Sequence, residues 1–309
     1  MDSILCPHCN APKIAGPECP RCGVIYLRAE AHGVLALPPP QTVAPGVPDP
    51  PIEAKWEGDL DDARIELKIQ AFAIPVALAL AWLIARTQML HALMRIFLSM
   101  WVHELGHATT AWLCGFGAFP GPWVTPISES RVPLVSILLL GALGYISYRA
   151  WQMRRWNQIG VAGGLLLLHA CMTLGLSSER AQALILFGGD AGCMVIGTLL
   201  MASIYAKPDS AIHRGWLRWG FLVIGSAAFA DSFETWWSAR TDSGRIPFGM
   251  NEGCGLSDPS RLVENHGWTE HLLVQRYVDL GLACLAGLFV LYAVKLLRAR
   301  AEVIRSESD

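Results

Sequence analysis

Two histidines and a glutamate stand close together in one apolar stretch of the chain, in the order His103-Glu104-Leu105-Gly106-His107. On an α-helix, residues i and i+4 lie on the same face, one turn apart. Two imidazoles in that register can bind one zinc ion, and the carboxylate beside them can act as a general base on a zinc-bound water. The pattern therefore predicts His103 and His107 as metal ligands and Glu104 as the general base of a hydrolytic zinc site.

These three polar residues lie inside a hydrophobic segment that runs from about residue 93 to residue 114. A charged side chain at bilayer depth costs on the order of 3 kcal/mol on insertion scales, so ionisable residues in such segments usually have a function. Three of them in metal-ligand register are difficult to explain by packing. The setting favours a metal site within a membrane.

A catalytic zinc site usually has three protein ligands and one water, so a third ligand is needed. Asp190 stands among glycines in the stretch 186–192, where glycine allows local unwinding and close backbone approach. Its carboxylate suits zinc, although an aspartate there could equally cap a helix. Asp231 and His169 are alternative ligands, and Asp231 could instead orient a ligand histidine.

Near the N-terminus the chain reads Cys6-Pro-His-Cys9 and then Cys19-Pro-Arg-Cys22. Two such pairs separated by a short loop are typical of a structural four-cysteine zinc site, and metal binding can fold a piece this small. The pattern resembles the zinc-ribbon family and predicts a ribbon over residues 1–32. Because few positive charges lie nearby, we expect a protein partner for the ribbon and no nucleic acid.

The composition predicts a membrane protein, since 53% of the 309 residues are hydrophobic, 16% are charged and the mean hydropathy is +0.37. The net charge of −2 gives no indication of a nucleic-acid partner. The chain has hydrophobic segments at about 69–85, 93–114, 133–148, 159–176, 183–205, 216–237 and 278–297. We therefore expect an all-α polytopic membrane protein with about six or seven transmembrane helices and the small ribbon.

The predicted organisation follows changes in composition. A proline-rich and then acidic linker occupies residues 33–68, and the membrane domain occupies 69–300. Within that domain, the polar stretch 239–277 is rich in turn residues and is predicted to be an ordered extracytoplasmic loop. It either caps the site or admits substrate, or it is a surface loop with Trp268 at the membrane interface. Residues 301–309 form a polar tail.

The distribution of Lys and Arg between the segments places the C-terminus in the cytoplasm. A reduced four-cysteine zinc site is also expected there, although seven spans would place the N-terminus outside. We therefore expect that one segment does not span. The candidates are 69–85, which Pro75 would break, and 116–134, which could form a re-entrant hairpin. The expected location is a bacterial inner membrane.

The chain has a pair of histidines and a glutamate on a predicted membrane helix, followed by an aspartate in a glycine-rich stretch. This arrangement resembles the site-2 protease family of intramembrane metalloproteases. The resemblance covers roughly residues 93–205. It implies that His103, His107 and Asp190 bind zinc, that Glu104 is the catalytic base, and that the substrates are transmembrane or membrane-associated proteins.

From these features we predict an intramembrane zinc metallopeptidase with one catalytic and one structural zinc ion, surrounded by membrane lipid. The alternative is a non-catalytic membrane adaptor or regulator that acts through the zinc ribbon.

Overall fold

The computed structural model describes the chain in two compact units, Met1–Lys55 and Trp56–Asp309. The residues it describes are 5–6, 8–9, 11–13, 16–26, 57–207, 210–213, 216–251 and 255–308. Residues 33–56 of the predicted 33–68 linker, and residues 27–32 of the predicted ribbon, lie outside this set.

In the first unit, each cysteine pair stands beside an isolated antiparallel bridge, Leu5 with Pro12 and Glu18 with Ile25. After the second pair the chain turns back at Gly23, whose φ of +71° favours glycine and whose N–H donates to the carbonyl oxygen of Cys19. The four sulfurs thereby come together without a large apolar core.

The second unit is mainly helical. Its helices are α1 (Glu57–Ala85), α2 (Gln88–Met94), α3 (Met100–Leu113), α4 (Pro133–Gln152), α5 (Trp156–Gly175), α6 (Ser178–Ala202), α7 (Leu217–Ala239), α8 (Asp258–Glu264) and α9 (Glu270–Ser308). A π-helical turn at Arg95–Ser99 joins α2 to α3, and short 3-10 turns lie at Ser203–Tyr205, Ala211–His213 and Ser243–Arg245. The strands are β1 (Phe116–Ala118), β2 (Ile127–Arg131), β3 (Met250–Asn251) and β4 (Gly255–Leu256), which form two antiparallel hairpins, β1 with β2 and β3 with β4.

Five of the described helices are long and apolar enough to cross a membrane, which supports the predicted membrane protein. They span Arg64–Ala85, Pro133–Gln152, Trp156–Gly175, Ser178–Tyr205 and Glu270–Arg305. The other two predicted segments also fold as helices but are not among these five. α3 has only 14 residues, and α7 includes Asp231 and Glu234, which lower its mean hydropathy.

Three local features differ from the sequence predictions. α1 begins at Glu57, inside the predicted linker, and runs through Pro75 without a break. A membrane helix tolerates proline where neighbouring groups satisfy the freed carbonyl. α6 is continuous through its glycines, so the predicted unwinding at Asp190 does not occur.

The predicted hairpin at 116–134 takes the form of β1 and β2, which follow the end of α3. Arg131 fixes this hairpin to two helix ends. Its Nε donates to the carbonyl oxygen of Cys114 at 3.0 Å, and its Nη2 donates to that of Leu176 at 2.6 Å. A guanidinium at these C-termini satisfies carbonyls that the helices leave unpaired.

α6 is the central helix and packs against α3, α7, α8 and α9. Glycines let α3 and α6 approach closely. A methyl group added at Gly106 would lie 2.8 Å from the Cα of Gly192 and would overlap the carbonyl oxygen of Gly188. Small residues at such a spacing are typical of close helix pairs in membranes.

We predict that Gly106→Ala lowers the thermal unfolding midpoint in detergent, at a cost of about 1–3 kcal/mol, because the methyl group meets backbone that cannot move aside. Gly163→Ala is the matched control, because nothing lies within 4 Å of the added methyl group and alanine favours helix. Equal midpoints for the two variants would contradict the close packing of α3 on α6.

Candidate metal centre

Three potential ligand atoms converge where α3 meets α8. Nε2 of His103 lies 3.1 Å from Nε2 of His107, and Oδ2 of Asp258 lies 3.3 Å and 3.1 Å from these two nitrogens. A tetrahedron with metal–ligand bonds of about 2.0–2.1 Å has edges of about 3.3 Å. These residues form a group that could hold a metal ion, with a fourth position left for another ligand.

The other nitrogen of each ring has a partner of its own. Nδ1 of His103 lies 3.1 Å from Oδ1 of Asp190, and Nδ1 of His107 lies 2.7 Å from the carbonyl oxygen of Ile185. Both partners accept hydrogen bonds, so each Nδ1 carries the proton and each Nε2 keeps its lone pair for a metal. A hydrogen bond at the far nitrogen orients a metal-binding histidine and raises its basicity.

Asp190, which sequence reasoning named as the third ligand, therefore contacts His103 on the ring edge opposite to the ligand atoms. Its remaining bonds come from α7, where Nε1 of Trp236 donates to Oδ2 at 2.8 Å and Oγ of Ser232 donates to Oδ1 at 3.3 Å. The carboxylate is buried and hydrogen-bonded at both oxygens. In this geometry Asp190 holds His103 in place, and the third potential ligand atom is a carboxylate oxygen of Asp258.

Sequence reasoning placed Asp258 in the polar stretch and did not name it as a ligand. The available signal was Ser257-Asp258-Pro259, a serine cap followed by proline in the first turn of a helix. Oγ of Ser257 accepts from the N–H of Ser260, and the N–H of Gly249 donates to Oγ of Ser260 at 3.0 Å. These bonds fix the start of α8 and hence its first carboxylate.

Burial alone would raise the pKa of Asp258. When His103 and His107 are protonated at Nε2 as well, in the absence of a metal ion, their hydrogen bonds and charge hold that pKa well below its usual range. The side chain of Asp258 is 22% exposed. Asp258 is therefore an anion at neutral pH, which is the form that binds metal.

Glu104 is buried, with 5% of its surface exposed, and lines the same cavity as the three ligand residues. This cavity has a volume of about 370 Å³. The loop between β1 and β2 closes one side of it, because Oγ1 of Thr125 donates to the carbonyl oxygen of Glu104 at 3.0 Å. The exposed rings of Trp123 and the side chain of Val124 stand at the rim.

The two alternative ligands lie elsewhere. Asp231 accepts hydrogen bonds from His91, Arg95 and Ser99. Nδ1 of His169 donates to the carbonyl oxygen of Leu113 at 2.9 Å. Both groups are buried and have hydrogen-bond partners, and neither belongs to the group around α8.

The four ribbon cysteines form a second group that could hold a metal ion. The sulfurs of Cys6 and Cys22 are 3.8 Å apart, and those of Cys9 and Cys19 are 3.7 Å apart. Tetrahedral Zn–S bonds of about 2.3 Å give sulfur–sulfur edges of about 3.8 Å. In a disulfide the two sulfurs would be much closer together, so these sulfur–sulfur distances fit metal-bound thiolates.

We predict that Asp190→Asn lowers zinc affinity by about 10- to 100-fold, because it disturbs a partner of a ligand histidine. Asp258→Ala should lower the affinity further, since it removes a coordinating atom. Asp242→Ala is the control, a change in the same polar stretch at a side chain that is 64% exposed. Competition titration with a fluorescent zinc chelator measures all three. If Asp190→Asn lowered zinc affinity more than Asp258→Ala does, Asp190 would be the ligand and Asp258 the supporting residue.

We also predict that Cys19→Ser lowers the zinc content of purified protein from about two ions to about one, because a structural site needs all four thiolates. Cys171→Ser, at an exposed cysteine on α5, should leave the content unchanged. Elemental analysis of detergent-purified protein provides the measurement. An unchanged content in the Cys19 variant would remove the ribbon as a zinc site.

No family model, curated protein or solved structure matches this chain.

Proposed function

We propose that the chain is a membrane-embedded zinc metallopeptidase of the site-2 protease type. The observation that carries this proposal is the placement of three ligand atoms 3.1–3.3 Å apart, with Glu104 lining the same cavity. The paired histidines and the glutamate have the roles that the sequence pattern assigns them, and Asp258 completes the ligand set.

The donor set fits zinc. Two imidazole nitrogens and one carboxylate oxygen form a familiar catalytic ligand set, and the hydrogen bonds at both Nδ1 atoms leave the Nε2 atoms of His103 and His107 free to coordinate. When bound there, zinc would polarise a peptide carbonyl and lower the pKa of water toward about 7.

Glu104 has the part of general base in this proposal. Its carboxylate takes a proton from the attacking water and passes it to the nitrogen of the leaving amine. Its burial beside the ligand residues keeps this carboxylate in the cavity where the reacting atoms would lie.

The expected substrates are membrane-associated proteins. A helical segment has its carbonyls engaged in hydrogen bonds, so it must unwind locally before a peptide bond can reach the cavity. The exposed apolar rim at Trp123 and Val124 offers a surface for such an unwound segment. For the ribbon we propose a role in docking a protein partner, supported by the exposed side chains of Leu5 and Ile25.

We predict that Glu104→Gln retains the zinc ion and loses about 10²- to 10⁴-fold in cleavage rate, because it keeps the size of the side chain and removes the base. Glu264→Gln, at an exposed position of α8, is the control. Cleavage is measured in detergent micelles with a library of internally quenched apolar peptides, with and without chelator. Chelator-sensitive cleavage that survives in the Glu104 variant would refute the proposed role.

A further inference from the structure

The metal cavity also contains a cation, Arg95, which neither the metal site nor the proposed base uses. Its Nη1 lies 3.3 Å from Oδ2 of Asp231, and its side chain is 34% exposed whereas that of Asp231 is 2% exposed. Within the described part of the chain, the hydrogen bonds of this guanidinium all come from Nη1 and go to Asp231. A guanidinium has five N–H donors, so others remain available to the cavity.

Asp231 is itself held by three residues of the continuous stretch formed by α2 and the π-helical turn. Nε2 of His91 lies 2.6 Å from Oδ1, and Oγ of Ser99 donates to Oδ2 at 2.5 Å. With Arg95, both carboxylate oxygens are occupied. Asp231 is thus fixed at one place on α7, and it fixes Arg95 in turn.

The π-helical turn explains how three residues at i, i+4 and i+8 reach one carboxylate. On an α-helix each step of four residues drifts by about 40° around the axis. A π turn is wider, and a step of four residues across it falls roughly 30° short of a full circle. The turn at Arg95–Ser99, where the N–H of Met100 donates to the carbonyl oxygen of Arg95, therefore cancels most of the drift.

A second cation lines the cavity but lacks this support. Arg261 follows Asp258 by one turn on α8 and is exposed to solvent. Among the described residues, Arg261 has no carboxylate partner that would fix its guanidinium as Asp231 fixes that of Arg95. Donors that are fixed before the reaction stabilise developing charge better than mobile ones, because they need not reorganise.

We propose that Arg95 is a further catalytic residue, which binds the carbonyl oxygen of the scissile peptide and stabilises the negative charge that forms on it. This inference rests on the proposed peptidase function. When the water oxygen bonds to the carbonyl carbon, the π electron pair of the carbonyl moves to its oxygen, and Glu104 takes the water proton. When the carbon–nitrogen bond breaks, that pair returns to form the carboxyl group and the amine leaves with a proton. Arg95 remains a cation throughout and exchanges no proton.

Phosphoryl-leucyl-tryptophan tests this assignment, since its tetrahedral anionic group imitates the charged intermediate. The hydroxamate of the same dipeptide serves as a reference, because it binds metal through a planar chelating group that does not imitate this intermediate. Binding to zinc-loaded, full-length protein in nanodiscs is measured by calorimetry. Arg95→Gln should weaken binding of the phosphoryl compound about 10- to 100-fold and change hydroxamate binding less than about threefold. Arg95→Lys should retain part of the affinity.

Removing one member of a buried ion pair can unfold a protein, so the double variant Arg95→Gln/Asp231→Asn separates structure from catalysis. If Arg95 acts on the anion, the double variant folds well and still binds the phosphoryl compound weakly. Recovery of wild-type affinity in the double variant would assign Arg95 a structural role and overturn the proposal.

Arg261→Gln is the matched control from the same cavity. If Arg261→Gln weakened binding of the phosphoryl compound as much as Arg95→Gln does, the effect would come from the total charge of the cavity. That result would also overturn the proposal. If the wild-type protein bound neither compound, the proposed function would fail together with this inference. Normal hydroxamate binding combined with unchanged phosphoryl binding in Arg95→Gln would reject the inference alone.

Discussion

Backbone contact between α3 and α6 sets where the two imidazoles can lie. The glycines of α6 bring it so close that a methyl group at Gly189 would lie 2.5 Å from both His103 Cε1 and His107 Nε2. The same approach brings the carbonyl oxygen of Ile185 and the carboxylate of Asp190 to the far nitrogens of the rings. The glycines therefore matter because they allow this short distance between the helices. Any larger residue in their place would push the two acceptors away from the rings.

Four buried or partly buried acidic groups around the site divide into two pairs. Asp258 and Glu104 face the cavity, where a metal and a substrate would meet them. Asp190 also lines the cavity, but it holds His103 of α3 through a hydrogen bond, as Asp231 holds Arg95 of the π-helical turn. Buried charge is costly unless it is paired and hydrogen-bonded, and both supporting carboxylates meet that condition. Trp236, which stacks on Tyr277 at 4.1 Å, connects this support to α9.

Much of the site could be predicted from local spacing. His103 and His107 are one helical turn apart, and the four cysteines are close in sequence, so elementary geometry sufficed for both groups. Hydropathy identified the five helices able to cross a membrane, but it also named two segments that are not among them, and Pro75 led us to doubt the segment 69–85. Asp258 could not be found in this way, because it lies 155 residues from His103 and reaches it through the packing of α8 on α6. The glycines around Asp190 did indicate a residue near the site, but composition cannot distinguish a ligand from a residue that holds one. The π turn at Arg95 likewise has no signature in the pattern of apolar residues.

Because the third ligand atom comes from α8, the ligand set remains incomplete while the ribosome is still making the preceding helices. At roughly 5–20 residues per second, the 155 residues between His103 and Asp258 delay completion by about 8–30 seconds. During that interval α3 carries its two imidazoles with no carboxylate from α8 to join them. Under the proposed peptidase function, a nascent chain would be unable to cleave itself or its neighbours until α8 has joined the ligand set.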